Sequence, residues 1–128
     1  MKTHEWFVCL NYGSLELLIP HSVITDTFSS SQKNTGLKNH YIDGMLKQDL
    51  PKENARSSKL LVQSKTLFFI TTSASVSIRQ VPLKNFFMPE GTLKEPLMKR
   101  GIIAFSFENS TMRLLVDIDS FIEYGGRL

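Results

Sequence analysis

At 128 residues the chain has room for one ordinary domain, or two very small lobes sharing a core. Its 41% hydrophobic and 21% charged residues are a globular composition, and nine Phe, three Tyr and one Trp supply the bulk of a core. The net charge of +3 comes from fifteen scattered basic residues, and the densest stretch, Lys47 to Lys65, is broken by Asp49 and Glu53; that pattern is a solvated surface of mixed sign and argues against a nucleic-acid patch.

The opening residues, Met1 to Phe7, include Lys2, His4 and Glu5 and form no apolar signal core. No uncharged apolar stretch approaches the roughly 20 residues of a membrane span. The expectation is a cytoplasmic protein without membrane insertion. Trp6–Leu10, a polar turn at Asn11–Ser14, and Leu15–Ile19 then make a first hairpin signature. Cys9, the single cysteine, lies inside the first run and reads as a small buried hydrophobe. Thr25 to Asn39, with Ser29-Ser30-Ser31 and Asn34-Thr35-Gly36, shows no apolar periodicity and is expected to be an exposed, mobile loop. Leu50 to Ser58, with Pro51 and alternating charges, reads as a connector.

A second hairpin follows: Leu60–Val62, a turn at 63–65, and Thr66–Thr72. Ala74 to Arg79 alternates with period two, Val76 and Ile78 facing one way and Ser75 and Ser77 the other, so one dry face is expected. Thr92 to Met98 can make a short helical turn with Thr92 as its cap, limited by Pro96. Gly101–Phe107, a turn at Glu108–Ser110, and Thr111–Val116 form a third hairpin. Loops just longer than the two-residue type are expected in all three. In the tail, Asp117 or Asp119 caps a helix over 118–124 whose apolar face is Ile118, Phe121 and Ile122. Many short strands and little helix place the chain in the all-β class with minor helix, as a barrel or sandwich.

Residue chemistry gives no catalytic pattern. His4, His21 and His40 stand apart from one another and from Cys9, so no zinc spacing exists. Asp117 and Asp119 are spaced for a carboxylate pair, but helix capping accounts for them. Asn109-Ser110-Thr111 matches a glycosylation sequon and reads most simply as a turn. The glycines are isolated and open no phosphate loop, and no serine sits in a nucleophile elbow. The expectation is a protein without enzymatic activity, cofactor or metal.

The order of these motifs resembles the CheW-like domain of bacterial chemotaxis. Phe7–Leu10 and Leu17–Ile24, with its Leu-Ile-Pro-His-Ser-Val-Ile exit, are similar to the family's first hairpin. Ser58–Val62, Phe68–Ile70, Val76, Val81 and Phe87-Met88-Pro89 resemble its second lobe. Gly101–Ala104 followed by Arg113-Leu-Leu-Val-Asp-Ile-Asp-Ser-Phe-Ile122 resembles its closing strand and helix. The resemblance implies one domain over 1–128. Within it, two small SH3-like β-barrel lobes cover about 1–57 and about 58–117, and a short C-terminal helix covers about 118–124. It also implies an adaptor coupling a sensor histidine kinase, through its regulatory domain, to the cytoplasmic tips of chemoreceptors. The family's Gly-x-Ile-x-x-Arg-Gly strand is matched in Tyr41–Leu50 only at Gly44, which implies a trimmed first lobe and leaves the receptor-binding residues untransferred.

An adaptor works through apolar anchors outside the core. The candidates are Phe86, Phe87 and Met88 before Pro89, Leu46, and Tyr41 with Ile42. The competing reading of Phe86–Met88 is that at least two of them seal the junction between lobes. Two other functions fit the composition. One is a small basic barrel binding single-stranded nucleic acid through Lys47, Lys52, Arg56, Lys59 and Lys65 near Tyr41; the other is a β protein with a small-molecule pocket.

Overall fold

The computed structural model describes residues 4–29, 36–45 and 57–124. Nine strands run in chain order: β1 (His4–Asn11), β2 (Leu15–Pro20), β3 (Ile24–Ser29), β4 (Asn39–Tyr41), β5 (Ser58–Gln63), β6 (Leu67–Thr72), β7 (Ser75–Pro82), β8 (Ile102–Glu108) and β9 (Thr111–Val116). Among the described residues α1 (Ile42–Met45) and α2 (Lys94–Lys99) lie between strands, and α3 (Ile118–Tyr124) follows the last. The fold is all-β with minor helix.

All three expected hairpins form, as β1–β2, β5–β6 and β8–β9. Two of their turns are tighter than expected. Tyr12 donates its N–H to the Leu15 carbonyl at 2.8 Å, leaving only Gly13 and Ser14 at the tip, with Gly13 at φ +97°. Between Glu108 and Thr111 the turn is Asn109-Ser110, both with positive φ, the combination that matches the twist of a two-residue hairpin.

The strands assemble into a five-stranded sheet, β7-β1-β2-β9-β8, and a four-stranded sheet, β3-β5-β6-β4. Each sheet takes strands from both sides of the 50–58 connector. The first and third hairpins meet through a parallel ladder of β2 on β9, Leu15 opposite Met112 through Leu18 opposite Leu115. The four-stranded sheet also contains a segment expected as loop. Residues 24–29 pair with β5 despite their polar sequence, with a register shift between Ile24 and Asp26. Residues 39–41 add a short parallel strand beside β6.

The main core lies between the sheets. Val8, Leu10, Leu17 and Val116 on one sheet meet Leu60, Val62, Phe68 and Ile70 on the other, and Ile118 and Phe121 of α3 close one end. A smaller core covers the outer face of the five-stranded sheet, with Phe7, Cys9, Leu18 and Val81 under Leu83, Phe86 and Leu115. That is why residues 7–10 are buried without alternation: the strand is covered on both faces. Burial pushes the Cys9 thiol up from its ordinary pKa, as expected of an inert buried cysteine. The expected dry face of β7 is incomplete, since Val76 is half-buried but Ile78 is exposed.

Asp117 caps α3, its carboxylate accepting the Asp119 N–H at 3.3 Å and its carbonyl the Phe121 N–H at 2.9 Å. Thr92 does not cap α2. The cap position is Leu93, without a side-chain hydrogen bond, and a 3₁₀ turn over Gly91–Leu93 leads into the helix. Gly101 sits at the junction of α2, β8 and α3 with φ +85°. A Cβ there would press on the backbone N and Cα of Phe121 and lie 2.7 Å from the Asp117 carbonyl oxygen.

Asp43 in α1 ties three elements together. Its carboxylate accepts the Tyr12 hydroxyl at 2.8 Å, the Thr72 hydroxyl at 2.9 Å, the Ser73 N–H at 3.0 Å and the Ser73 hydroxyl. Partial burial raises its pKa, but the hydrogen bonds from Ser73, Tyr12 and Thr72 outweigh that and hold it below the ordinary carboxylate value.

Two outcomes follow. Gly101→Ala combines a strained φ with a backbone clash, and urea unfolding should show a loss of about 2–5 kcal/mol. For Asp43 the folded pKa lies below the unfolded value of about 3.9, so its contribution is complete above that value and lost as pH falls through the folded pKa. Thermal melts should show wild-type stability dropping at acid pH, whereas Asp43→Asn starts lower at neutral pH and shows a shallower acid loss.

Candidate functional site

Strand β7 ends at one edge of the five-stranded sheet, and β8 forms the other edge. The chain between them therefore has to cross the sheet. It does so over the outer face, where Leu83 and Phe86 pack on the smaller core. Phe86 also lies against the Arg113 guanidinium, 5.4 Å from ring centre to carbon. Below it, the buried Glu16 carboxylate accepts Arg79 Nη2 at 2.6 Å and Arg113 Nε at 3.3 Å, and Arg113 Nη1 reaches Glu108 at 2.7 Å. The strap is thus anchored on apolar contacts and on a fixed cation.

The crossing delivers Phe87 to the β8 edge. Phe87 donates its N–H to the Phe105 carbonyl at 2.8 Å and accepts the Phe105 N–H at 2.9 Å. The two rings stand 6.1 Å apart, and Phe105 meets Phe107 edge-on at 6.4 Å. After Phe87 the chain turns through Met88 and the buried Pro89 into α2. Phe87, Met88, Leu93, Leu97, Phe105 and Phe107 line an open groove of about 490 Å³ between strand edge and helix. Phe87 is 63% exposed, Met88 62% and Phe107 69%. The exposed apolar side chains are large and contiguous, and Glu90 also lines the groove.

Of the sequence candidates, Phe87 and Met88 lie in this groove. Phe86 is half-buried and packs on the smaller core at the outer face of the five-stranded sheet. Tyr41 is exposed on β4, the edge of the other sheet, and is not part of the groove. Ile42 corrects the sequence reading: it is fully buried in the main core and offers no surface to a partner. Leu46 lies outside the described residues, as do Lys47, Lys52 and Arg56. Lys59 is buried, with Nζ 5.1 Å from the centre of the Phe69 ring, so it does not extend a basic patch. Sequence reading missed Leu93, Leu97, Phe105 and Phe107. Phe105 and Phe107 look like core residues of a strand, and only the position of that strand at the sheet edge exposes them.

Asp117 and Asp119 serve the helix cap and a hydrogen bond from the Ser64 hydroxyl. Among the described residues no helix is long and apolar enough to cross a membrane.

No protein-family model matches the chain, and no curated protein matches it either. Among solved structures it is similar to the scaffolding protein TtCheW from Thermoanaerobacter tengcongensis. The likeness covers 88% of each chain with a TM-score of 0.59, at 7% sequence identity. At that identity the likeness speaks for architecture, and it shows that this chain shares the CheW-like fold.

Proposed function

We propose that the protein is a non-catalytic adaptor of chemotaxis-type signalling, working in the cytoplasm. In this reading the groove beside β8 receives the regulatory domain of a sensor histidine kinase, and a second surface meets the tips of chemoreceptors. The observation that carries the proposal is the groove itself: large apolar side chains exposed at a strand edge, on a fold shared with a scaffolding protein. Nothing about such a surface requires chemistry from the protein. It requires complementary shape and a partner that excludes water.

Covering one Phe- or Met-sized side chain contributes about 1.5–3 kcal/mol. Phe87, Met88 and Phe107 together contribute at most about 4.5–9 kcal/mol before the cost of association, so micromolar binding draws on further contacts around the groove as well. The groove is also pre-formed, because the Phe87–Phe105 backbone pair and the Phe86 strap fix its floor and one wall. The receptor side has less support, since the segment after Tyr41 enters the helical turn α1 and matches the family only at Gly44.

The test is calorimetric titration of the full chain with the regulatory domain of the chemotaxis kinase from the same organism. Wild type should bind at micromolar or tighter affinity. Phe107→Asp, at an exposed position that leaves the core intact, should weaken binding by about tenfold or more. A folded wild-type protein that does not bind the domain would remove this function and leave the fold unaffected.

A further inference from the structure

The two edges of the five-stranded sheet are treated differently. At β8 the Phe87 bridge occupies the outward N–H and C=O of Phe105. At β7 no described residue pairs with the outer edge along its eight residues. The hairpin geometry shows which groups are free. Tyr12 donates to Leu15, so Tyr12, Leu10 and Val8 direct their backbone groups toward β2, and Asn11, Cys9, Phe7 and Glu5 direct theirs toward β7. Their register partners Ser75, Ser77, Arg79 and Val81 therefore face β1, and Val76, Ile78 and Gln80 present N–H and C=O outward.

An open edge of this length is an invitation to pair, and proteins that remain single usually blunt one with lysine, proline or a bulge. Strand β7 has none of these before Pro82, and its pairing with β1 runs without a register shift. Its only charge is Arg79, whose side chain lies on the outer face and is held by Glu16 at 2.6 Å. On the opposite face Ile78 is 52% exposed, and Trp6, its diagonal neighbour on β1, is 54% exposed.

We infer that a second copy of this chain pairs antiparallel along β7, making one continuous sheet through two molecules about a two-fold axis at Ile78. The strand suits itself in this register. Ile78 faces Ile78 of the partner copy, and Val76 faces Gln80 in both directions, so the residues whose backbone groups point outward are matched with one another. Arg79 faces Ser77 on the other side, so no like charges meet. Next to that ladder the Trp6 side chain adjoins Gln80 and can reach across to cover Val76 of the second copy. A charged or proline-rich partner strand would gain nothing from the apolar Ile78 and Trp6, whereas an identical strand brings the matching Ile78. The inference is independent of what occupies the groove at the other end of the sheet.

Sedimentation equilibrium of the full chain at micromolar to high micromolar concentration tests it. Wild type should shift from 14.6 kDa toward twice that mass as concentration rises. Ile78→Lys places two like charges at the axis and should weaken dimerisation by about a hundredfold or more, with unchanged circular dichroism. Gln80→Pro removes one outward N–H without touching the β1 ladder and should weaken it independently. Phe107→Asp, at the far edge, should leave the dimer intact. A wild type that stays at one chain mass throughout, or a dimer that survives Ile78→Lys and Gln80→Pro but is lost in Phe107→Asp, overturns the inference.

Discussion

The parallel ladder between β2 and β9 joins parts of the chain about three-quarters of its length apart, and the rest of the five-stranded sheet is arranged around it. Without it the sheet divides into the three-stranded β7-β1-β2 and the two-stranded β9-β8 ribbon, and a lone ribbon has little independent stability. The buried carboxylate of Glu16 fixes this junction in register. From β2 it reaches Arg113 on β9, directly opposite in the ladder, and Arg79 on β7, two strands away on the other side. A carboxylate in that position is costly to bury alone, and removing one partner from a buried pair costs about 3–5 kcal/mol. A one-residue slip of β9 would carry Arg113 to the opposite face and leave Glu16 with Arg79 alone, so charge as well as apolar pattern selects the register.

The same arrangement explains which parts of the structure were legible beforehand. Each hairpin could be read from a dozen residues, because turn residues and flanking apolar runs are local signals. The Asp117 cap and the Ile118–Phe121 face of α3 were readable for the same reason. Sheet membership was not, because nothing near Leu17 indicates that its neighbour is Leu114. Residues 25–29 looked like loop since their sequence is mostly polar, and Thr25, Asp26 and Thr27 are indeed exposed. Their pairing to β5 comes from backbone groups, which leave no trace in side-chain periodicity. Ile42 is the reverse case. Beside polar neighbours it looked exposed, yet Asp43 holds the helical turn against β6 and draws Ile42 into the core.

The groove shows the limit most clearly. Phe87 and Met88 could be selected, together with Phe86, because an apolar run before Pro89 and in a loop has no automatic core role. Phe105 and Phe107 could not, because an aromatic strand residue is ordinarily core. Phe107 is exposed and Phe105 half-exposed because, among the described residues, β8 pairs with nothing on its outer side beyond the short Phe87 bridge, while the four-stranded sheet covers the centre of the larger sheet and not its margin.

Edge chemistry then separates two kinds of association. At β8 the backbone of Phe105 is already satisfied, so a partner gains mainly from side-chain burial in the groove, and shape determines which partner fits. At β7 the groups that no described residue meets are backbone amides and carbonyls, which any extended chain can meet, so selectivity there has to come from the side chains beside the ladder. Because these edges are the two ends of one sheet, pairing at β7 extends the sheet away from β8 and keeps both grooves at its outer limits. A two-copy assembly would therefore present two identical grooves at a fixed separation. A partner that is itself multivalent would bind it with a gain set by effective concentration, without any new contact in either groove.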